Sequence, residues 1–188
     1  NLNGGNLKLA SLNNQGGQFF WNSGTVEFSQ NAILDNGLLN TLVGSAHALE
    51  NGQYLKASSG KTFIVGPTNF AVDGGQIHTS NFTNVGTTAV NKGSVTASGQ
   101  FLNDVQGAFV IQNLGQTNFA GGVINNGSFQ LASAAAKSSG GIFTNNGTLS
   151  GRGRLQHQLQ NNGIMAINAG DHLINDNGAN MSTNANQI

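Results

Sequence analysis

Asn125-Asn126-Gly127-Ser128-Phe129-Gln130-Leu131 joins an Asn-x-Gly triplet to a run in which apolar and polar residues alternate. The same join precedes it as Asn22-Ser23-Gly24-Thr25-Val26-Glu27-Phe28 and Asn91-Lys92-Gly93-Ser94-Val95. It follows as Asn145-Asn146-Gly147-Thr148-Leu149 and as Asn161-Asn162-Gly163-Ile164-Met165-Ala166-Ile167. In each copy a turn triplet, read as left-handed at its Asn or Gly, feeds a short strand with one apolar face. A unit of this kind cannot enclose a core by itself, so the copies must stack on one another. The reading is an all-β chain, a parallel β-solenoid formed by residues 1–188 as one domain.

Aligning the copies on the apolar residue two places before the Asn sharpens the period. Phe20-Trp21-Asn22-Ser23-Gly24, Phe82-Thr83-Asn84-Val85-Gly86, Phe143-Thr144-Asn145-Asn146-Gly147 and Leu159-Gln160-Asn161-Asn162-Gly163 agree, and Phe101-Leu102-Asn103 is a looser copy with its glycine delayed to Gly107. From Phe82 the anchors fall at Phe101, Phe119, Phe143 and Leu159, steps of 19, 18, 24 and 16. A mean near 19 suits one turn of a three-faced solenoid, with three strands of three to five residues and three bends. Stacked at about 4.8 Å per coil, about ten coils would make a rod about 48 Å long. The 24-residue step is assigned to a loop bulge at 132–140, around Ala132-Ser133-Ala134-Ala135-Ala136-Lys137-Ser138-Ser139. Segment 38–50 stays unassigned: its apolar residues, Leu38, Leu39, Leu42, Val43, Ala46, Ala48 and Leu49, fit the strand pattern poorly, and one short helix is the minority alternative, with Gly44 arguing against a long one.

Composition narrows the function classes. Of 188 residues 29 are Asn and 28 Gly, whereas only 7% are charged and there is one Pro, Pro67. Asn and Gly suit a chain that bends every few residues, and the near absence of Pro suits central strands. The formal net charge is zero and Arg152 and Arg154 are the only arginines, so there is no basic surface for nucleic acid. No apolar run approaches the roughly 18 residues that cross a bilayer. With no Cys, disulfides, thiolate zinc sites and thiol nucleophiles are excluded. A chain that starts at Asn1 without Met reads as a processed form or an excised fragment.

Chemistry is sparse. The acids are Glu27, Glu50, Asp35, Asp73, Asp104, Asp171 and Asp176, of which Asp171 and Asp176 flank His172 most tightly. Glycoside hydrolysis needs two carboxyls about 5–9 Å apart on one face; two Asp five residues apart read instead as turn-capping residues. The four histidines share no metal-ligand spacing, and Asn in place of Asp at the turns disfavours calcium. No cofactor and no metal is expected, and the chain is not expected to be an enzyme. The residues singled out are therefore structural: Asn22, Gly24, Asn84, Gly86, Asn91, Gly93, Asn126, Gly127, Asn146, Gly147, Asn162 and Gly163, as tight turns or, alternatively, as an inward-facing ladder of stacked amides. Trp21 and Tyr54, the only residues of their types, are candidate surface contacts, although an aromatic so near the start also suits burial.

The stretch Gly141-Ile142-Phe143-Thr144-Asn145-Asn146-Gly147-Thr148-Leu149-Ser150-Gly151-Arg152-Gly153-Arg154-Leu155, with Asn161-Asn162-Gly163-Ile164 after it, resembles the passenger repeats of bacterial autotransporters and haemagglutinin-like exported adhesins. The resemblance is clearest over about Phe82 to Ile174. It implies a right-handed parallel β-helix displayed outside a bacterial cell, and it transfers no catalytic residue. The expected role is an extracellular structural protein whose coils stack end to end into a surface fibre or sheath through self-association. Alternatives are the stalk of a larger adhesin and a polysaccharide-degrading β-helix. A glycan or host-surface ligand is left unspecified.

Overall fold

The computed structural model describes residues 1–13 and 18–175, with the backbone of Ser182–Thr183. The described chain begins with β1 (Leu2–Leu9), β2 (Trp21–Phe28) and β3 (Ala32–Leu34), followed by helix α1 (Asn36–Val43). Next come β4 (Ala48–Glu50), β5 (Gln53–Ala57), β6 (Thr62–Val65), β7 (Asn69–Asp73), β8 (Gln76–Thr79) and β9 (Asn81–Asn84). The series continues through β10 (Thr87–Asn91), β11 (Ser94–Ala97), β12 (Phe101–Asn103), β13 (Ala108–Gln112), β14 (Gln116–Phe119) and β15 (Val123–Asn125). Two long strands, β16 (Ser128–Asn145) and β17 (Thr148–Asn161), each wrap a whole coil, and β18 (Ile164–Ala166), β19 (Leu173–Asn175) and β20 (Ser182–Thr183) follow.

Every pairing between these strands is parallel, and partners lie one coil apart. The first face stacks β4, β7, β10, β13, the starts of β16 and β17, and β18. The second stacks β1, β2, β5, β8, β11, β14, the middles of β16 and β17, and β19. The third stacks β3, β6, β9, β12, β15, the ends of β16 and β17, and β20. This is a three-faced parallel β-solenoid of about 8 coils, fewer than the ten expected. The reason lies near the start, where the coil that holds α1 takes 31 residues from Ala32 to its rung partner Phe63.

Alternation fills the tube with phenylalanine. Phe63, Phe82, Phe101, Phe109, Phe119, Phe129 and Phe143 are fully buried. Rings of neighbouring coils touch, with Phe101 stacked on Phe119 at 4.5 Å and Phe109 on Phe129 at 5.3 Å. One anchor of the sequence period belongs elsewhere. The rung partner of Phe101 is Val123, whereas Phe119 pairs with Ala97 on the second face. The true steps on the third face are 19, 22, 20 and 16, through Phe82, Phe101, Val123, Phe143 and Leu159. Both Phe119 and Val123 point into one core, so hydrophobicity alone cannot tell which face carries which. Between Ala132 and Lys137 the register with β17 shifts, so a bulge lies at the corner between the first and second faces. It does not account for the 24-residue step: the coil from Val123 to Phe143 takes 20 residues, and the longer step arises because Phe119 lies on the second face.

Segment 38–50 resolves into helix and strand. Asp35 caps the helix by accepting a hydrogen bond from Leu38 N at 2.8 Å, and Gly44, at φ +73, ends it. Leu39 and Leu42 turn into the core. Neither β3 nor β4 pairs with a strand on the N-terminal side among the described residues, so these two leucines close core that no coil above closes.

Candidate functional site

The most ordered polar feature lies inside the tube. Asn84, Asn103, Asn125, Asn145 and Asn161 end their strands at one corner of the third face and are buried. Rung pairing stacks them in a single column. Asn84 Nδ2 donates to Asn103 Oδ1 at 2.8 Å, Asn103 to Asn125 at 2.7 Å, Asn125 to Asn145 at 2.7 Å and Asn145 to Asn161 at 2.6 Å. The second N–H of each amide reaches a corner carbonyl, such as Thr148 O from Asn125 at 3.0 Å. At the N-terminal end Thr88 donates to Asn84 Oδ1 at 2.7 Å. Every amide is satisfied, which a buried polar group requires, and every dipole points the same way.

The residue after each of the last three inner Asn faces out and builds a second ladder of opposite sense. Asn162 Nδ2 donates to Asn146 Oδ1 at 3.1 Å, and Asn146 to Asn126 at 2.9 Å. A third chain runs on the first face, from Asn113 to Asn91 at 2.5 Å and from Asn91 to Asp73 at 2.7 Å. Of the residues proposed from sequence, Asn84 therefore joins the buried ladder, Asn91, Asn126, Asn146 and Asn162 join the outer ones, and Asn22 is exposed in β2. Asn103, Asn125, Asn145 and Asn161 were missed as ladder residues. Their signal was the shared position two places after the apolar anchor, which the conspicuous Asn-Gly pairs obscured.

The glycines are required for a different reason from the one expected. Gly24 does adopt φ +98, and at the corner between the first and second faces Gly74, Lys92 and Asn113 take φ of +84, +58 and +51 in successive coils. The left-handed residue of Asn91-Lys92-Gly93 is thus Lys92. Gly86, Gly127, Gly147 and Gly163 form a column in which a Cβ would meet the carbonyl oxygen of Gly66, Gly107, Gly127 and Gly147 at 2.2, 2.2, 2.1 and 2.2 Å. Space between rungs, and not handedness, demands glycine there.

A Ser-His pair exists but is sealed. The Thr117 hydroxyl donates to Ser138 Oγ at 2.9 Å, Ser138 meets His157 Nε2 at 2.9 Å, and His157 Nδ1 donates to Gly141 O at 2.9 Å. His157 is fully buried, so no substrate reaches it. Burial pushes its pKa down to about 4, against a smaller opposing effect of the Gly141 carbonyl. Asp171 accepts from Asn168 N at 2.9 Å within a turn, and Asp176 lies outside the described residues. Among the described residues no three His, Cys, Asp or Glu converge on a metal position, and no helix is long and apolar enough to cross a membrane.

The aromatic candidates diverge. Trp21 is only 5% exposed, with Nε1 donating to Gly24 O at 3.2 Å, so it is a core residue and not a surface contact. Tyr54 is half-buried and packs on His78 at 4.8 Å. Beside them Glu27 bridges Lys8 at 2.9 Å and Lys56 at 3.3 Å. The Ser58 hydroxyl and the two ammonium groups hold its carboxyl down to about 2. Finally, a cavity of about 500 Å³ opens at the corner between the third and first faces, beside His47. No family model, curated protein or solved structure matches the chain.

Proposed function

We propose that the chain is a structural rod that works outside a bacterial cell, as a spacer or stalk segment whose length and stiffness are its function. The observation that carries this reading is the use of polar side chains along the axis: inner amides donate toward one end and outer amides toward the other. Hydrogen bonds from coil to coil resist the separation of coils. The resemblance of the repeats to exported passenger segments supports the extracellular placement. Small-angle scattering tests the rod: the expected profile is an elongated particle that keeps its axial ratio up to the unfolding transition. A compact or flexible profile overturns it. Protease treatment of intact cells tests the location, with cleavage expected from outside.

A second reading is end-to-end assembly. Its support is β1, whose outer edge pairs with no strand among the described residues, and an open edge is a template for another strand. Against it, α1 covers the core at that end. Sedimentation velocity over a wide concentration range separates the two readings, and a constant coefficient removes assembly.

A further inference from the structure

We infer that the groove at the corner between the third and first faces binds an uncharged saccharide. The corners of three successive coils contribute Asn69, Thr87 and Gln106, with Pro67 and Val85 between them, and Asn36 of α1 with His47 forms the upper rim. Thr87 and Asn69 are rung partners, so their backbones stand about 4.8 Å apart along the axis. The side chains of Asn69, Thr87 and Gln106 are exposed and have no hydrogen-bond partner among the described residues. Amides offer a donor and an acceptor side by side, which suits neighbouring sugar hydroxyls. Pro67 and Val85 supply the apolar patch that a C–H face of a sugar ring needs. The volume of about 500 Å³ lies within the range of small-ligand sites.

Two further features favour this groove over other surfaces. His47 holds φ +47 although it carries a Cβ, a left-handed conformation that side chains disfavour. That backbone sets the ring at the rim, where Nδ1 donates to Asn69 O at 3.2 Å and Nε2 stands 3.1 Å from the Asn40 amide. The Thr68 hydroxyl donates to Asn36 Oδ1 and fixes the other wall. These hydrogen bonds hold the rim in one shape before a ligand arrives, which lowers the cost of binding. The ligand's neutrality follows from the lining, which contains no Lys, Arg, Asp or Glu, and from α1, whose N-terminus is already capped by Asp35. An anion would find no cation in this lining, and a cation no carboxylate.

The test is an ¹⁵N NMR titration of the full chain with N-acetylglucosamine and with lactose, and with glucuronate as the charged arm. The expected result is a millimolar Kd, with shifts at His47, Thr87 and Gln106 and none on the second face. Gln106→Ala changes an exposed side chain and is expected to weaken binding about tenfold with the spectrum otherwise unchanged. His47→Gly relieves the backbone but removes the ring that meets Asn69 O and Asn40, so binding is expected to fall while shifts on the second face are retained. Silence with both neutral sugars up to their solubility overturns the inference. So do equal affinity for glucuronate, shifts confined to another face, or unchanged affinity in Gln106→Ala.

Discussion

The N-terminal and C-terminal halves of the tube are wound alike but held by different means. One column on the third face runs Leu34, Val65, Asn84, Asn103, Asn125, Asn145 and Asn161. Up to Val65 the corner is filled by hydrocarbon, and beyond it by linked amides. The two ion pairs described, Lys8–Glu27 and Lys56–Glu27, lie in the first half, as does the helix. The backbone ladder thus accepts either filling, with different tolerances. An apolar column loses packing contacts when a member changes. An amide column leaves a donor and an acceptor orphaned on both sides, because each member serves two neighbours.

The sharpest way to break the comparison is Asn125→Ala. It strands the Asn103 donor, the Asn145 oxygen and the Thr148 carbonyl, and is expected to cost about 4 kcal/mol in urea unfolding. Gly147→Ala comes next, at about 3 kcal/mol, because a Cβ 2.1 Å from Gly127 O forces two rigid rungs apart; a change in Tm of less than a degree would refute the packing argument. Acid has an effect of similar size in the C-terminal half, through His157. Its pKa is about 4 when folded and about 6.5 when unfolded, so the unfolded chain binds the extra proton. Stability is therefore full above pH 6.5 and declines as pH falls toward 4, by about 3 kcal/mol in total. His157→Leu should flatten that slope in pH-dependent denaturation curves.

Smaller effects belong to the other half. Val65→Ala, in the same column as Asn125, is expected to cost about 2 kcal/mol, and a loss equal to that of Asn125→Ala would show that the amides act only as filler. A sharpening variant is Val65→Asn, which adds a rung where the Asn84 oxygen is already an acceptor. It should be clearly milder in urea unfolding than Val72→Asn, whose rung partners Leu49 and Val90 are apolar. Least of all, Glu27→Gln in its solvent-screened ion cluster should cost under about 1 kcal/mol. Because the Glu27 pKa is depressed, its contribution is present above pH 4.5 and fades toward pH 2.

Much of this was legible in the sequence, and the gaps have specific causes. The alternation in Thr62-Phe63-Ile64-Val65 or Ser128-Phe129-Gln130-Leu131 predicts strands because side-chain direction in a strand has period two. The doublets Asn125-Asn126, Asn145-Asn146 and Asn161-Asn162 announce a repeated corner, but they do not say which amide enters the core. The helix over Asn36–Val43 is harder to read because its apolar residues are clustered, and Asp35 is one short polar residue among many. No spacing or composition marks the groove, since His47, Asn69, Thr87 and Gln106 are far apart in sequence and only the winding of the coils brings them to one corner.

Local rules sufficed for the strand period, the places where the chain turns and the need to stack, because each follows from the residue types and hydrophobicity of a few adjacent positions. The inward or outward choice within each Asn doublet, the assignment of Phe119 and Val123 to different faces, and the steric reason for Gly86, Gly127, Gly147 and Gly163 came only with the tertiary structure. Those depend on which residue of the neighbouring coil lies one rung away, and register between coils is a property of the whole stack.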